Sequence, residues 1–188
     1  NHVHRLFRTQ VLGPSFACAL GKNALANWRY RVGVYKNFDA EVGSSVCEDL
    51  WSFVADQRAL SANPDDFSTF ITIFVTLDIP RDENEFESRL WTILQEIHDK
   101  DAHVYRWDPQ TTSDPDLPDF SFSVASSLFS WLGSMPIVPD SVAGSHTQHW
   151  RLMLTINLSD SAQRENFKSF RTLSESRISR FKARSIQV

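Results

Sequence analysis

The chain has 188 residues, 41% of them hydrophobic, enough for one sizeable core and an expected single domain over residues 1–188. A net charge of −4 argues against a general nucleic-acid binder, because neutralising phosphates takes a concentrated excess of Lys and Arg. Cys18 and Cys47 lack the paired spacing of structural zinc, no run is long enough to span a bilayer, and no signal-peptide pattern follows Asn1. The expectation is a reducing, cytoplasmic setting with no membrane partner.

After Gly13-Pro14, the apolar run Phe16 to Leu20 predicts a strand. The alternation of large with charged or small residues from Trp28 to Tyr35 predicts another. Between them, Gly21 to Asn27 reads as a turn or short helical connection and lacks the Gly and Lys-Ser/Thr spacing of a phosphate loop. Val46, Leu50, Phe53 and Val54 are spaced for an amphipathic helix capped by Ser44 or Ser45, with Cys47 beside its apolar stripe. Asn63-Pro64-Asp65-Asp66 breaks the chain, and the β-branched run Phe70 to Leu77 predicts a central strand.

The most helical stretch begins at Asp82. Phe86, Leu90, Ile93, Leu94 and Ile97 fall on one buried stripe, leaving Glu83, Glu87, Arg89 and Glu96 to solvent. Asp82 is a natural N-cap, and Glu85 three residues on makes a capping-box arrangement. His98, four residues after Leu94 and seven after Trp91, projects from the border of the stripe. An imidazole there suits either a metal-ligand role or a hydrogen-bonded structural one.

Thr111 to Pro118 then reads as a polar loop, Phe120 to Val124 and Leu128 to Leu132 as strands, and Ile137 to Ser145 as irregular chain leading to His146 and His149. Trp150 to Leu158 is a further alternating strand, and Ser161 to Arg184 is chiefly helical with Phe167 and Phe170 inward. That last segment carries seven Arg and Lys from Arg164 to Arg184 against Glu165 and Glu175, either a solvated face or one that meets anions. Strands interleaved with long helices, without a regular βαβ rhythm, predict an α+β fold with a mixed or antiparallel sheet. The 14 Phe and 6 Trp provide either large core aromatics or a flat-walled space, and leave open a self-associating surface and a homo-oligomer.

An ordered series of motifs resembles the YqcI/YcgG family, some members of which are haem-dependent N-oxygenases of guanidine or amine nitrogens in natural-product pathways. Phe16-Ala17-Cys18 with Gly21 and Ala24 is similar to the family's Phe-Pro-Cys segment followed by Gly and Ala, with the proline replaced. Leu94-Gln95-Glu96-Ile97-His98-Asp99-Lys100-Asp101 resembles its Leu-Gln-x-x-His-x-x-Asp. Asp119-Phe120-Ser121-Phe122-Ser123 resembles its Phe-Ser-Phe-Ser strand, and Phe129 through Pro136 its Phe-Phe-x-x-Gly-x-His-Pro segment, with Met135 at the place of the histidine. The arginines that usually follow are missing between Asp140 and His149.

The resemblance implies a haem b cofactor, a small nitrogenous substrate, dioxygen and an electron donor. On that reading His98 is the iron ligand, with Met135 and Cys18 as competing ligands. Phe120, Phe122, Phe129 and Trp131 would line the porphyrin, Arg29 or Arg31 would pair with a propionate, and Asp99, Asp101 and Asp119 are carboxylates for a cationic substrate. Met135 and the missing arginines also motivate a second reading, a non-catalytic haem- or ligand-binding domain of the same fold.

Overall fold

In chain order the described elements are helix α1 (Ala19–Ala26), strand β1 (Tyr30–Tyr35), helix α2 (Val42–Leu60), strand β2 (Thr69–Thr76), helix α3 (Glu83–Ala102) and strands β3 (Phe122–Val124), β4 (Ser127–Ser134) and β5 (Trp150–Ser159). The computed structural model describes residues 5, 8, 9, 12, 13, 19–60, 68–76, 78, 80–117, 120–134 and 150–159, of which 19–21, 83, 130–134 and 150–159 are described as backbone. Asn63 to Asp66 and the helix expected from Ser161 to Arg184 lie outside them, as do Cys18, Asp119, Met135, His146 and His149.

Ala19 and Leu20 were expected to close a strand and instead open α1, where three Ala and two Leu in eight residues favour helix over a short extended run. The helix ends in a Schellman motif. Trp28 N–H donates to the Leu25 carbonyl at 3.5 Å and Arg29 N–H to that of Ala24 at 2.9 Å. Trp28 therefore takes the left-handed position, with φ of 59°, where glycine is the usual occupant. This exit turn is why β1 starts at Tyr30 and not at Trp28 as the alternation implied.

The sheet runs β1-β2-β5-β4-β3. β1 and β2 are parallel, Tyr30 opposite Thr69 through Tyr35 opposite Phe74, and every other pairing is antiparallel, so the α+β fold has a mixed sheet. The 19-residue α2 supplies the crossover that a parallel pair requires. It begins at Val42, which puts Ser44 and Ser45 inside the first turn and not at the cap. β2, paired on both sides, is buried from Thr69 to Phe74, the interior strand its continuous apolar run predicts.

Alternation along β2 divides two packing faces. Phe70 and Phe74 face α2 and α3, with Phe70 against Phe53 at 5.6 Å and Phe74 against Phe38 at 5.0 Å, while Ile71 and Ile73 pack with Leu25 of α1 on the opposite face. Each such side chain contributes about 1.5–3 kcal/mol of burial. α2 and α3 cross closely at Gly43, where an added Cβ would lie 2.5 Å from Glu96 Cβ and 3.1 Å from the Ile93 carbonyl oxygen.

α3 buries Phe86, Leu90, Ile93, Leu94 and Ile97, the stripe the spacing predicts. Asp82 caps it by accepting from Glu85 N–H at 2.9 Å. The capping box is altered, because the Glu85 carboxylate turns to Arg81, accepting from its N–H at 2.9 Å and its Nε at 2.7 Å, and also pairs with Arg89 at 2.7 Å. These donors hold the Glu85 carboxyl down to about 2. Arg89 and Glu87 are half-buried, not fully exposed as expected, with Arg89 also bound to Asp78 and Glu87 bonded to Trp91.

Candidate functional site at the end of helix α3

The last turns of α3, the chain that follows it and β3 converge on His98. Its ring is half-buried, lies 5.4 Å from the Trp107 ring at 68°, and makes no hydrogen bond among the described residues. Trp107 in turn meets Phe120 at 6.2 Å and Phe122 at 5.8 Å, and Phe120 reaches Trp91, two turns before His98, at 6.4 Å. An imidazole with no hydrogen-bonding partner among the described residues thus stands against an aromatic wall. Trp107 Nε1 is buried without an acceptor among the described residues, an arrangement that costs about 1–3 kcal/mol unless something else accepts from it.

Below this wall Asp101, 4% exposed, ties three elements together. Its Oδ1 accepts from Trp51 Nε1 of α2 at 2.6 Å and from Ala125 N–H at 2.9 Å. Burial raises the Asp101 carboxyl above the ordinary 3.8, an effect that the Trp51 and Ala125 bonds and the nearby His98 oppose. Ala125 and Ser126 form the two-residue turn between β3 and β4, each with φ of 52°, the type I′ pattern that normally calls for Asn or Gly. The turn persists because its neighbours over-determine it. Arg58 donates to the Ala125 carbonyl at 2.7 Å and to Ser127 Oγ at 2.9 Å, and Ser126 Oγ donates to the Arg106 carbonyl at 2.9 Å.

The other predicted site residues are distributed unevenly around His98. Phe120 belongs to the wall; Phe122 and Phe129, cross-strand partners 2% and 1% exposed, are packed in the core shared by α2 and α3. Trp131 lies in β4 opposite Ile156 of β5. Asp99 is exposed and accepts from Gln95 Nε2 at 2.7 Å. Arg29 and Arg31 sit at the β1 edge, and β3 is the opposite edge; four strand spacings, about 19 Å, separate those strands. The structure therefore does not bring the arginines to the His98 wall. Cys47 is a core residue as its spacing implied: its Sγ–H donates to the Ile97 carbonyl at 3.6 Å, and burial, with the Asp101 charge second, pushes the thiol up to about 12.

Sequence reasoning missed Trp107 and Trp51 as parts of the site. Trp107 follows α3 in a stretch without periodicity, and Trp51 lies on α2 beside the buried stripe; only the crossing of the helices shows what either ring touches. Among the described residues no group of three or more His, Cys, Asp and Glu is placed to hold a metal ion, and none of their helices is long and apolar enough to cross a membrane. One imidazole could hold a haem iron, and His98, with the Trp91, Trp107 and Phe120 wall and an indole N–H that has no acceptor among the described residues, fits that part of a haem site. The core positions of Phe122 and Phe129 and the remote arginines do not fit the wider set.

Compared with known proteins, residues 7–183 match the model of the YqcI/YcgG family. No curated protein and no solved structure matches the chain.

Proposed function

Taking as premise that the chain belongs to the YqcI/YcgG family, we propose that it is a haem-dependent N-oxygenase of a small amine- or guanidine-containing metabolite, in which His98 would hold the iron. The observation that carries this reading is the His98 imbalance: a half-buried imidazole, without a hydrogen bond among the described residues, on an aromatic wall. Haem supplies dioxygen activation to such a reaction, with electrons from a separate donor. The chain's share is to present the imidazole from a rigid helix, and to exclude water on one side with Trp91, Trp107 and Phe120. The Trp107 ring lies beside His98, and its Nε1–H, which has no acceptor among the described residues, could donate to an acceptor atom of whatever binds there.

A second reading, a ligand-binding domain without oxygen chemistry, is favoured by one specific observation. Neither Asp101, whose Oδ1 holds Trp51 and Ala125, nor the solvent-facing Asp99 offers a carboxylate to a cationic substrate at the wall. Titration of the full chain with haemin separates the cases. The oxygenase reading expects a saturating Soret band that shifts with carbon monoxide after reduction and is abolished or altered by His98→Ala. A band untouched by His98→Ala removes His98 as ligand, and no saturable band removes haem. Turnover of an amine or guanidine by the reduced protein rejects the second reading.

A further inference from the structure

One turn of α3 beyond His98, a second group of oxidisable side chains begins. Asp101 follows His98 by three residues, which sets both on one helix face, about 4.5 Å apart along the axis. Asp101 also holds two aromatic residues: its Oδ1 accepts from Trp51 Nε1 at 2.6 Å, and its backbone carbonyl accepts from Tyr105 N–H at 2.8 Å. The two rings meet at 5.6 Å and 60°. We propose that Trp51 and Tyr105 form an electron relay that drains surplus oxidising equivalents from the His98 site to the surface, with Asp101 taking the Trp51 proton. The proposal rests on the reading of His98 as the residue that holds a haem iron.

Indole and phenol are among the side chains most readily oxidised by one electron, and an oxidised indole N–H is strongly acidic. A carboxylate already bonded to that N–H takes its proton without rearrangement. Asp101 is 4% exposed, so its charge acts on the indole through little water. Burial raises its carboxyl above the ordinary 3.8, against the opposing effect of its own bonds and of His98, which makes it a better proton acceptor than a solvated aspartate. Lys100, paired with Glu48 and donating to the Ser44 carbonyl at 3.1 Å, holds its ammonium 5.8 Å from the Trp51 ring centre. A cation there favours a neutral ring over a positive one, which couples loss of the electron to loss of the proton.

A one-electron oxidant at the His98 site takes an electron from Trp51, the Nε1–H bond breaks, and an O–H bond forms on Asp101 Oδ1. Tyr105 then gives an electron to the indolyl radical, the proton returns from Asp101 to Nε1, and the phenol proton passes to water. Trp51 and Asp101 are restored, and a thiol or other small reductant in solution quenches the tyrosyl radical. Tyr105 serves as the outlet because it is half-buried between the exposed Val104 and Arg106. Ser126 Oγ, donating to the Arg106 carbonyl at 2.9 Å, fixes the chain beside it.

The haem-free full chain is oxidised by flash-generated tris(bipyridine)ruthenium(III), in a Trp28→Phe background that removes an indole 69% exposed, and radicals are followed by transient absorption. A neutral indolyl radical that passes to tyrosyl is expected. Trp51→Phe and Tyr105→Phe should each lose most of the tyrosyl signal, and Asp101→Asn should give an indolyl radical that keeps its proton. A tyrosyl signal undiminished in Trp51→Phe, or in Tyr105→Phe should the first variant fail to fold, overturns the relay, as does Asp101→Asn behaving as the parent. The haemin-loaded chain is then treated with hydrogen peroxide and freeze-quenched for electron paramagnetic resonance, where a tyrosyl radical lost in Trp51→Phe is expected. A Soret band without that Trp51-dependent radical overturns the relay alone, whereas no Soret band beside an intact flash response overturns the haem reading and the route from His98 with it.

Discussion

Among the described residues two turns hold non-glycine residues at positive φ, and they differ in what surrounds them. At the β3–β4 turn, Ala125 and Ser126 are fixed by Asp101, Arg58 and the Arg106 carbonyl, and Ala125 is buried. At the exit of α1, Trp28 has the same backbone handedness, yet its side chain is 69% exposed beside a cleft between β1 and α2. Left-handed backbone costs an L-residue about 1–2 kcal/mol. In the first turn hydrogen bonds and packing offset that cost. In the second, the Arg8 guanidinium and the Tyr30 ring pack on Trp28 but leave most of its side chain in solvent. The same contrast separates polar groups: around Asp101 they are consumed by structural bonds, whereas among the described residues Arg31 uses part of its fork, on Asp56 and Ser52.

The comparison breaks most severely at Asp101. Asp101→Ala orphans Trp51 Nε1 and Ala125 N–H together and is expected to cost about 3 kcal/mol, read from the urea midpoint. A loss under about 1 kcal/mol would show that the carboxylate does not hold the turn. Next, Arg58→Ala removes two charge-assisted bonds to the turn and is expected to cost about 1.5 kcal/mol, without the recovery that a merely exposed arginine would show. Gly43→Ala tests the helix crossing that brings Trp51 to Asp101. Overpacking against Glu96 and Ile93 costs about 1–3 kcal/mol and helix propensity returns about 1, so a net loss of about 1 kcal/mol is expected in the same assay.

The smallest effect is the pH dependence. Because burial raises the folded Asp101 carboxyl above 3.8, the native state retains a proton in that window that the unfolded chain has released. Stability from this group is therefore greatest below 3.8 and falls as pH rises through the raised folded value. Asp101→Asn keeps an oxygen for both donors and removes the titration, so its difference from the parent should grow more favourable with rising pH. A difference independent of pH would show that the carboxyl titrates alike folded and unfolded.

Much of the scaffold was legible because periodicity is local. The α3 stripe from Phe86 to Ile97, its Asp82 cap, the buried β2 run and the border position of His98 all follow from side-chain spacing on one element. α1 was misread because five residues from Phe16 to Leu20 do not distinguish a strand from the start of a helix, and the bonds that end α1 at Trp28 became clear only in three dimensions. Type I′ geometry at Ala125-Ser126 was likewise hidden, since neither residue carries the usual turn signal.

By itself, then, the sequence determined the α+β class, the family and the helix on which His98 sits, each a matter of neighbouring residues and their order. Tertiary structure alone decided that Asp101 is a latch, that Trp107 stands beside His98, and that Arg29 and Arg31 lie across the sheet from it. The physical reason is range. Hydrophobic spacing is written every three or four residues, whereas the partner of a buried carboxylate or the width of a sheet between two residues depends on how distant segments are paired.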